Sequence, residues 1–298
     1  MMPETTVLIP TYNCGKFIKA TLESILSQTY QDYEILIIDD GSTDNTFETL
    51  NMFSDQRIIY LKNDKNLGIV KSLNKGVKKA RGKFIARMDA DDLMVGNRLY
   101  DQIAFLKKEP AYGIVGSWYR ITDEKGNLLQ SLKTQESHDC IKLGLLFRNQ
   151  FAHPSITMRT ELVKQLKYKE DFIYTEDYDL WCRMAQVTKL ANLPSYHLLY
   201  RWHSNNTCNK RQNELKRNVV KLLSRELNRY HIDHGKEELI MHSALCFGYG
   251  KKYFNSDQKL MKLNLWLDKI FSSKMIIDKF NTIGLENFRN ELFENLIR

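Results

Sequence analysis

Phe84-Ile85-Ala86-Arg87-Met88-Asp89-Ala90-Asp91-Asp92 runs a short apolar segment directly into three carboxylates within four residues. The apolar part, Phe84 to Met88, reads as a buried strand that follows the break at Gly82. Like charges packed this closely cost free energy unless a cation or a hydrogen-bonded ligand offsets the repulsion. A strand that ends in such a cluster is suited to hold a divalent metal through oxygen ligands. The theme recurs at Asp39-Asp40, after Ile35 to Ile38, and at Glu176-Asp177.

Upstream, short apolar runs alternate with amphipathic segments. Val7 to Ile9, Tyr33 to Ile38 and Ile58 to Leu61 read as strands. The second is rich in isoleucine, as a strand covered on both faces should be. Between them, Phe17, Leu22, Ile25 and Leu26 recur at helical spacing, Thr46 to Phe53 fits a helix capped by Ser42 or Asp44, and Gly68 to Ala80 fits another. This βαβαβαβ order predicts an α/β fold with a mostly parallel central sheet and helices on both faces. Ligands bind such sheets beyond the carboxyl ends of the strands. Pro10-Thr11-Tyr12-Asn13, Asp39-Asp40 and Asp89 to Asp92 all fall there.

Downstream, Arg98 to Lys108 is a predicted helix, and Ile114 to Ile121 with Leu128 to Leu132 a hairpin around a polar turn. Glu176 to Gln186 is a helix with an acidic first turn, which its dipole favours. Leu190 to Tyr200 is extended. From Gln212 the pattern is helical, with Leu215, Val219, Leu222, Leu223 and Leu227 on one stripe and a second segment at Leu260 to Phe271. A boundary is expected near Asn205 to Gln212. It divides a catalytic domain (1–205), itself in two parts that meet at about residue 110, from a helical C-terminal tail (206–298).

The chain has 298 residues, 43% hydrophobic and 27% charged, enough for a sizeable core. Its net charge is +8, and most of it lies after Asn205, where 17 Lys/Arg face 11 Asp/Glu. A basic tail with interleaved apolar residues suits either an anionic membrane surface or a solvated helical face. The cysteines, Cys14, Cys140, Cys182, Cys208 and Cys246, are odd in number and widely spaced, which fits a reducing compartment. No signal-peptide pattern and no run near the roughly 20 apolar residues of a membrane span is seen, so a cytoplasmic protein, at most peripheral to a membrane, is expected.

Four segments in order, Pro10-Thr11-Tyr12-Asn13, Asp39-Asp40-Gly41-Ser42-Thr43-Asp44, Asp89-Ala90-Asp91-Asp92 and Thr175-Glu176-Asp177-Tyr178-Asp179-Leu180-Trp181, resemble the family 2 inverting glycosyltransferases with a GT-A fold. The resemblance covers roughly residues 5 to 205. It implies transfer of a sugar from a UDP-sugar to a hydroxyl of a glycan acceptor with Mn2+ or Mg2+, the acceptor being lipid-linked in surface-polysaccharide members. By the same resemblance, Asp91 ligates the metal, Asp89 contacts the ribose or a metal-bound water, and Asp92 orients one of them. Asp40 accepts from the uracil N3–H, Pro10 and Tyr12 line the base pocket, and Asn13, Asn66 and Lys71 stand on the nucleotide side. Asp177 is the general base, with Glu176, Trp181 and His153 on the acceptor side or behind it. Arg201 pairs with phosphate oxygens, and His203 ligates the metal or touches the β-phosphate.

The chemistry asks for the same parts. The leaving diphosphate needs positive charge, the acceptor hydroxyl a base, and the nucleoside a fixed pose. A carboxylate flanked by apolar surface, such as Asp177 beside Tyr178 and Trp181, can have a raised pKa suited to proton abstraction. No phosphate-cradling Gly-x-x-x-x-Gly-Lys-Ser/Thr loop and no Gly-x-Gly-x-x-Gly follows the first strand, and no basic surface for nucleic acid stands out in the first 200 residues. The competing readings are a sugar-nucleotide-binding protein of the same fold without turnover, and a subunit whose C-terminal helices form a homodimer.

Overall fold

Each early strand divides its side chains between two faces, and both faces are covered. In the computed structural model, which describes residues 2–203, 211–247, 253–280, 284–286, 288–290 and 292, β1 (Thr5–Thr11), β2 (Tyr33–Asp39) and β4 (Phe84–Arg87) are buried along their whole length. Val7, Ile9, Ile35, Ile37 and Ala86 join one core with Ile18, Leu22 and Ile25 of α1 (Ile18–Leu26) and Leu99, Ile103 and Leu106 of α4 (Arg98–Lys108). Leu8, Leu36, Ile38 and Ile85 point the other way, to Val70, Leu73 and Val77 of α3 (Ile69–Lys79). Period-2 alternation on the strands and helical periodicity on their partners thus meet on both faces. Each buried Ile or Leu adds about 1.5–3 kcal/mol of transfer free energy.

The sheet order is β3-β2-β1-β4-β8-β6-β9-β5, with β7 on β6. The strands β3 (Ile58–Lys62), β2, β1 and β4 are parallel neighbours, as the βαβ reading predicts. Beyond β4 the sheet is mixed: β8 (Thr157–Arg159) is antiparallel to both β4 and β6 (Tyr112–Thr122), while β9 (Lys189–Arg201) runs parallel to β6. β7 (Leu128–Leu132) closes the expected hairpin with β6, and β5 (Leu93–Met94) adds to β9. A strand of two or three residues, such as β5 or β8, has too few positions to show a period. The mixed half therefore left no signal beyond β6, β7 and β9.

Pro10 illustrates how local chemistry fits the topology. A proline has no N–H to give a central strand. β4 flanks β1 only as far as the Leu8–Arg87 pair, so at Pro10 the strand has β2 alone beside it.

Helix α4 pins the centre. The fully buried Arg98 donates to the carbonyls of Pro154 (2.5 Å), Arg87 (2.8 Å) and Ile156 (2.9 Å), and Gln102 donates to Ser155 O at 2.7 Å. These bonds tie α4 to the backbone of β4 and to the segment that leads into β8; Ile156 O also accepts Arg87 N–H at 3.0 Å.

The remaining helices are α2 (Thr46–Leu50), α5 (His138–Gly144), α6 (Thr160–Leu166), α7 (Glu176–Met184), α8 (Gln212–Arg229), α9 (Lys236–Cys246), α10 (Asp257–Phe271) and α11 (Lys274–Ile277). The α8 stripe lands as patterned: Val219, Leu222 and Leu223 share the core that holds Trp181 and Leu180 of α7. Asp179, without exposure, receives Arg183 from its own helix and Arg225 from α8. Leu263, Trp266, Leu267 and Ile270 of α10 pack with Leu143, Leu146 and Phe147 at the end of α5. There His242 donates from Nε2 to Leu146 O (2.7 Å) and accepts Trp266 Nε1–H at Nδ1 (3.1 Å). Burial holds that imidazole neutral, its pKa pushed down to about 4. The chain boundary expected near Asn205 falls mostly on residues 204–210, outside the described set.

Candidate active site

The carboxyl ends of β1, β2 and β4 form one rim, and their loops are tied together by side-chain-to-backbone bonds. Asn13 sits at φ 53°, a left-handed conformation asparagine tolerates. Its N–H donates to Ser42 Oγ (2.9 Å) and its Oδ1 accepts Thr43 N–H (2.8 Å). Cys14 N–H donates to Thr46 Oγ1 and Gly15 N–H to Asp44 Oδ2, both at 3.0 Å. Ser42 thus serves the β1 loop rather than capping α2, whose Thr46 N–H goes to Asp44 at 3.1 Å. Gly41, at φ +80°, lets the loop 63–68 come in: a Cβ there would stand 2.8 Å from Lys65 C and 3.0 Å from Asn66 N.

Asp40 is the anchor of that approach. Its Oδ1 accepts Asn63 Nδ2 (2.7 Å) and Leu67 N–H (2.9 Å), and its Oδ2 accepts Gly68 N–H (2.8 Å). A carboxylate has about four lone-pair sites, so one on Oδ2 remains for a ligand. Asp39 is fully buried and accepts Ser42 N–H and the Tyr60 hydroxyl. Tyr12 presents its ring, 46% exposed, while Pro10 is buried beneath it in β1. Asn66 is exposed on the approaching loop, and Lys71 turns its ammonium to Glu170 at 3.5 Å.

At the end of β4, Asp89, Asp91 and Asp92 bring ligand oxygens within 4.8 Å of one another. Each is held by a different group. Arg87, buried in β4, pairs with Asp89 at 2.6 Å. His203 Nε2 lies 2.9 Å from Asp91 Oδ2. Arg201 N–H donates to Asp92 Oδ1 at 2.8 Å. Asp92 is six residues ahead of α4 and does not cap it. Burial first, then the charges of Asp91 and Asp89, pushes the Asp92 carboxyl well above the carboxylate range, and its Oδ2 has no hydrogen-bond partner. Burial raises Asp89 too, against the pull of Arg87. Crowded hard oxygens, one of them orphaned, beside an imidazole are a donor set that fits Mn2+ or Mg2+. Phe17, at the start of α1, shapes this corner: its ring stacks on His203 (centroids 5.0 Å) and lies under the Arg201 guanidinium at 4.9 Å.

The second acidic pair opens α7. Asp177 is partly exposed, and Asn149 Nδ2 donates to its Oδ2 at 2.8 Å. Burial raises its pKa, while the backbone N–H of Tyr178, the Asn149 amide and the Arg87 charge pull it down. Glu176 is more buried. Burial and then the Asp177 charge push it up to about 7, and its Oε2 has no partner. Arg87 is the link between the clusters: its charge acts on Asp89, Asp92, Glu176 and Asp177. On the β1 side, the thiol of Cys14 feels Asp91 and Asp89. Arg87 is thus within electrostatic reach of both acidic clusters, and Cys14 of the β1 loop within reach of the cluster after β4.

Trp181 and His153 join neither cluster. Trp181 has no exposed surface and packs against Phe151 (5.7 Å) and edge-on to His153 (5.6 Å), so it offers no face to an acceptor sugar. His153 is buried with Nε2 2.9 Å from the Tyr168 hydroxyl, and desolvation pushes its pKa well below the usual histidine value. Both stand behind the acidic pair. The tryptophan that is exposed is Trp202. Arg87, Asn149, Asn63 and Phe17 have site roles that the sequence reading did not assign. Only Arg87 carried a signal, a charged residue inside a run otherwise reading as a buried strand.

The family model of glycosyl transferase family 2 matches residues 6–167. An uncharacterized glycosyltransferase of Haemophilus influenzae is 33% identical over 78% of this chain and 75% of its own length. The Escherichia coli protein WfaP, a UDP-Glc:alpha-D-GlcNAc-diphosphoundecaprenol beta-1,3-glucosyltransferase, is 31% identical over 84% of this chain and 99% of its own. Among solved structures, S. aureus TarS 1-349 in complex with UDP-GlcNAc superposes with a TM-score of 0.62 at 18% identity, covering 98% of this chain and 89% of that one. The mannosyltransferase PcManGT from Pyrobaculum calidifontis, in complex with GDP-Man and Mn2+, gives 0.59 at 15%, covering 98% and 88%. These two share the GT-A fold with this chain. On its sequence match, its relatives and its acidic rim, this chain is a glycosyltransferase of family 2.

Proposed function

We propose that the chain is an inverting, metal-dependent glycosyltransferase that moves a sugar from a UDP-sugar to a hydroxyl of a lipid-linked glycan. The observation that supports it most is a pair of acidic clusters, after β4 and at the start of α7, both within reach of the Arg87 charge. The carboxylates after β4 suit a cation, and the pair at α7 suits proton transfer. That TarS binds UDP-GlcNAc and WfaP uses a UDP-sugar with a diphosphoundecaprenol-linked acceptor supports the donor and acceptor classes.

In this reading Tyr12 packs on the uracil and the remaining lone pair of Asp40 Oδ2 accepts its N3–H. Asn13, Asn66 and Lys71 line the nucleotide side, and Arg201 pairs with the diphosphate. Asp91 and His203, with Asp89 and Asp92 beside them, would hold Mn2+ or Mg2+, which supplies positive charge to the leaving diphosphate. Asp177 takes the proton of the acceptor hydroxyl. The acceptor oxygen bonds to the anomeric carbon as the bond to the UDP oxygen breaks, and configuration inverts in one step. Glu176, pushed up to about 7, holds its proton to higher pH than an ordinary carboxyl beside it, a division of labour that burial produces.

The lipid-linked acceptor gives the C-terminal helices a role. No helix among the described residues is long and apolar enough to cross a membrane. Ile240 of α9, Met261 and Leu265 of α10 and Ile277 of α11 are exposed, and Lys262, Lys269 and Lys274 lie on or at the ends of the same helices, Lys262 paired with Glu237. A surface of this kind suits peripheral contact with an anionic leaflet from the cytoplasmic side. The decisive experiment is UDP release from a panel of UDP-sugars with Mn2+ and with EDTA. Release from at least one sugar, lost with EDTA and in Asp177→Asn, is expected. Binding without release across the panel would favour a silent sugar-nucleotide-binding protein. If this chain ignores anionic liposomes at moderate salt, the membrane contact is removed.

A further inference from the structure

The loop after α5 carries a residue aimed at the proposed base. Asn149 is held from both sides. Gln150, next to it, is buried, its amide donates to Arg148 O (3.1 Å), and its carbonyl accepts Asn192 Nδ2 (3.2 Å). Phe151 N–H donates to Asn149 Oδ1 at 3.2 Å. An N–H on one amide atom identifies that atom as oxygen, so the atom facing Asp177 is the NH2 group. It donates to Asp177 Oδ2 at 2.8 Å.

Two carboxyls one residue apart, partly out of water, do not both ionise cheaply. The donors here are distributed unequally. Both carboxyls accept backbone N–H groups, Asp177 from Tyr178 and its own residue and Glu176 from Tyr174 and its own residue, but only Asp177 has a side-chain donor, the Asn149 amide, and Glu176 Oε2 has none. The other charged and titratable groups facing the pair are Arg87 from β4, Tyr168 from the loop after α6 and Tyr178 of α7 itself. Arg87 acts on both carboxyls and so cannot choose between them. Asn149 touches one.

Resting on the reading of Asp177 as the base, we propose that Asn149 is its positioning residue: the amide holds Oδ2, keeps the charge on Asp177 rather than Glu176, and leaves Oδ1 turned to the acceptor hydroxyl.

The test uses the full chain, Mn2+ and whichever of UDP-glucose or UDP-N-acetylglucosamine it hydrolyses, read as UDP release against pH. Asn149→Asp keeps shape and the acceptor for Phe151 but deletes the donor. Asn149→Ala deletes both. Both variants should move the acidic limb of the kcat profile up by about one pH unit and lower kcat near neutrality about tenfold. Donor KM should hold within about twofold. Thermal unfolding of Asn149→Asp near the wild-type midpoint separates this from misfolding. If either folded variant keeps the wild-type acidic limb, whatever its kcat, the proposal is wrong and Asn149 only shapes the loop. If Asp177→Asn hydrolyses at the wild-type rate, the base reading itself fails and takes this one with it.

Discussion

At the end of β4, three carboxylates stand side by side, with Arg87 against one and His203 against another. At the start of α7, two carboxylates stand one residue apart, with an amide on one and an unpartnered oxygen on the other. The side chains are almost the same and the environments differ. The first cluster has too much negative charge for its volume and one buried arginine beside it, a shape that a cation relieves. In the second, burial raises both carboxyls, Glu176 up to about 7, and a single side-chain donor, Asn149, serves one of them. Burial raises carboxyls in both; the crowding of three carboxylates suits the first to a metal, and a carboxyl pair with one side-chain donor suits the second to moving protons.

The contrast breaks most readily at Asp91. Asp91→Asn removes a charge from the first cluster and should cut UDP release about 10²–10³-fold while leaving the fold intact, measured at saturating Mn2+. Retained activity with Mn2+ dependence unchanged would mean that the cluster is not the metal site. Arg87→Met comes next. It strands Asp89 without its partner and should cost about 3 kcal/mol of stability in denaturant unfolding. Because a cation can replace the lost arginine charge, millimolar Mn2+ should restore part of that loss, and EDTA should remove the restoration.

Glu176→Gln sharpens the other side of the comparison. The folded state binds the Glu176 proton more tightly than the unfolded chain, with a pKa of about 7 against an ordinary 4.5. Stability therefore falls as pH rises from about 4.5 to about 7 and levels off above that. Glutamine removes this penalty. It should stabilise the protein at pH 8 by on the order of 1–3 kcal/mol and leave it unchanged at pH 4, read by thermal unfolding at both values. A gain of equal size at both would show that Glu176 titrates normally. Lys71→Ala should do least. Its exposed pair with Glu170 is worth no more than about 0.5 kcal/mol, and donor KM distinguishes a surface lysine from a nucleotide contact.

The parallel half was legible because period and length agree there. Tyr33 to Ile38 was expected and Tyr33–Asp39 is found; Arg98 to Lys108 is found as expected; Gly68 to Ala80 becomes Ile69–Lys79. The acidic stretches were legible because carboxylates crowded at the end of an apolar run repel one another unless a cation or donors come between them. Trp181 shows the limit. Its position beside Asp177 left a place on the acceptor side or behind it open, and its ring is turned inward to Phe151 and His153. Asn149 shows the opposite failure. It sits in an irregular loop 28 residues before its partner, and nothing in its neighbours marks it.

Composition and periodicity alone determined that the chain has a two-sided parallel sheet and that carboxylates crowd its carboxyl edge, because burial patterns and charge repulsion act locally along the backbone. Only the tertiary structure decided which carboxylate meets which partner. Arg87 stands between the two clusters, Asn149 reaches Asp177, and β9 returns His203 to Asp91 across 112 residues. Those choices depend on desolvation and on donors brought from distant segments, and neither quantity exists until the chain has closed around them.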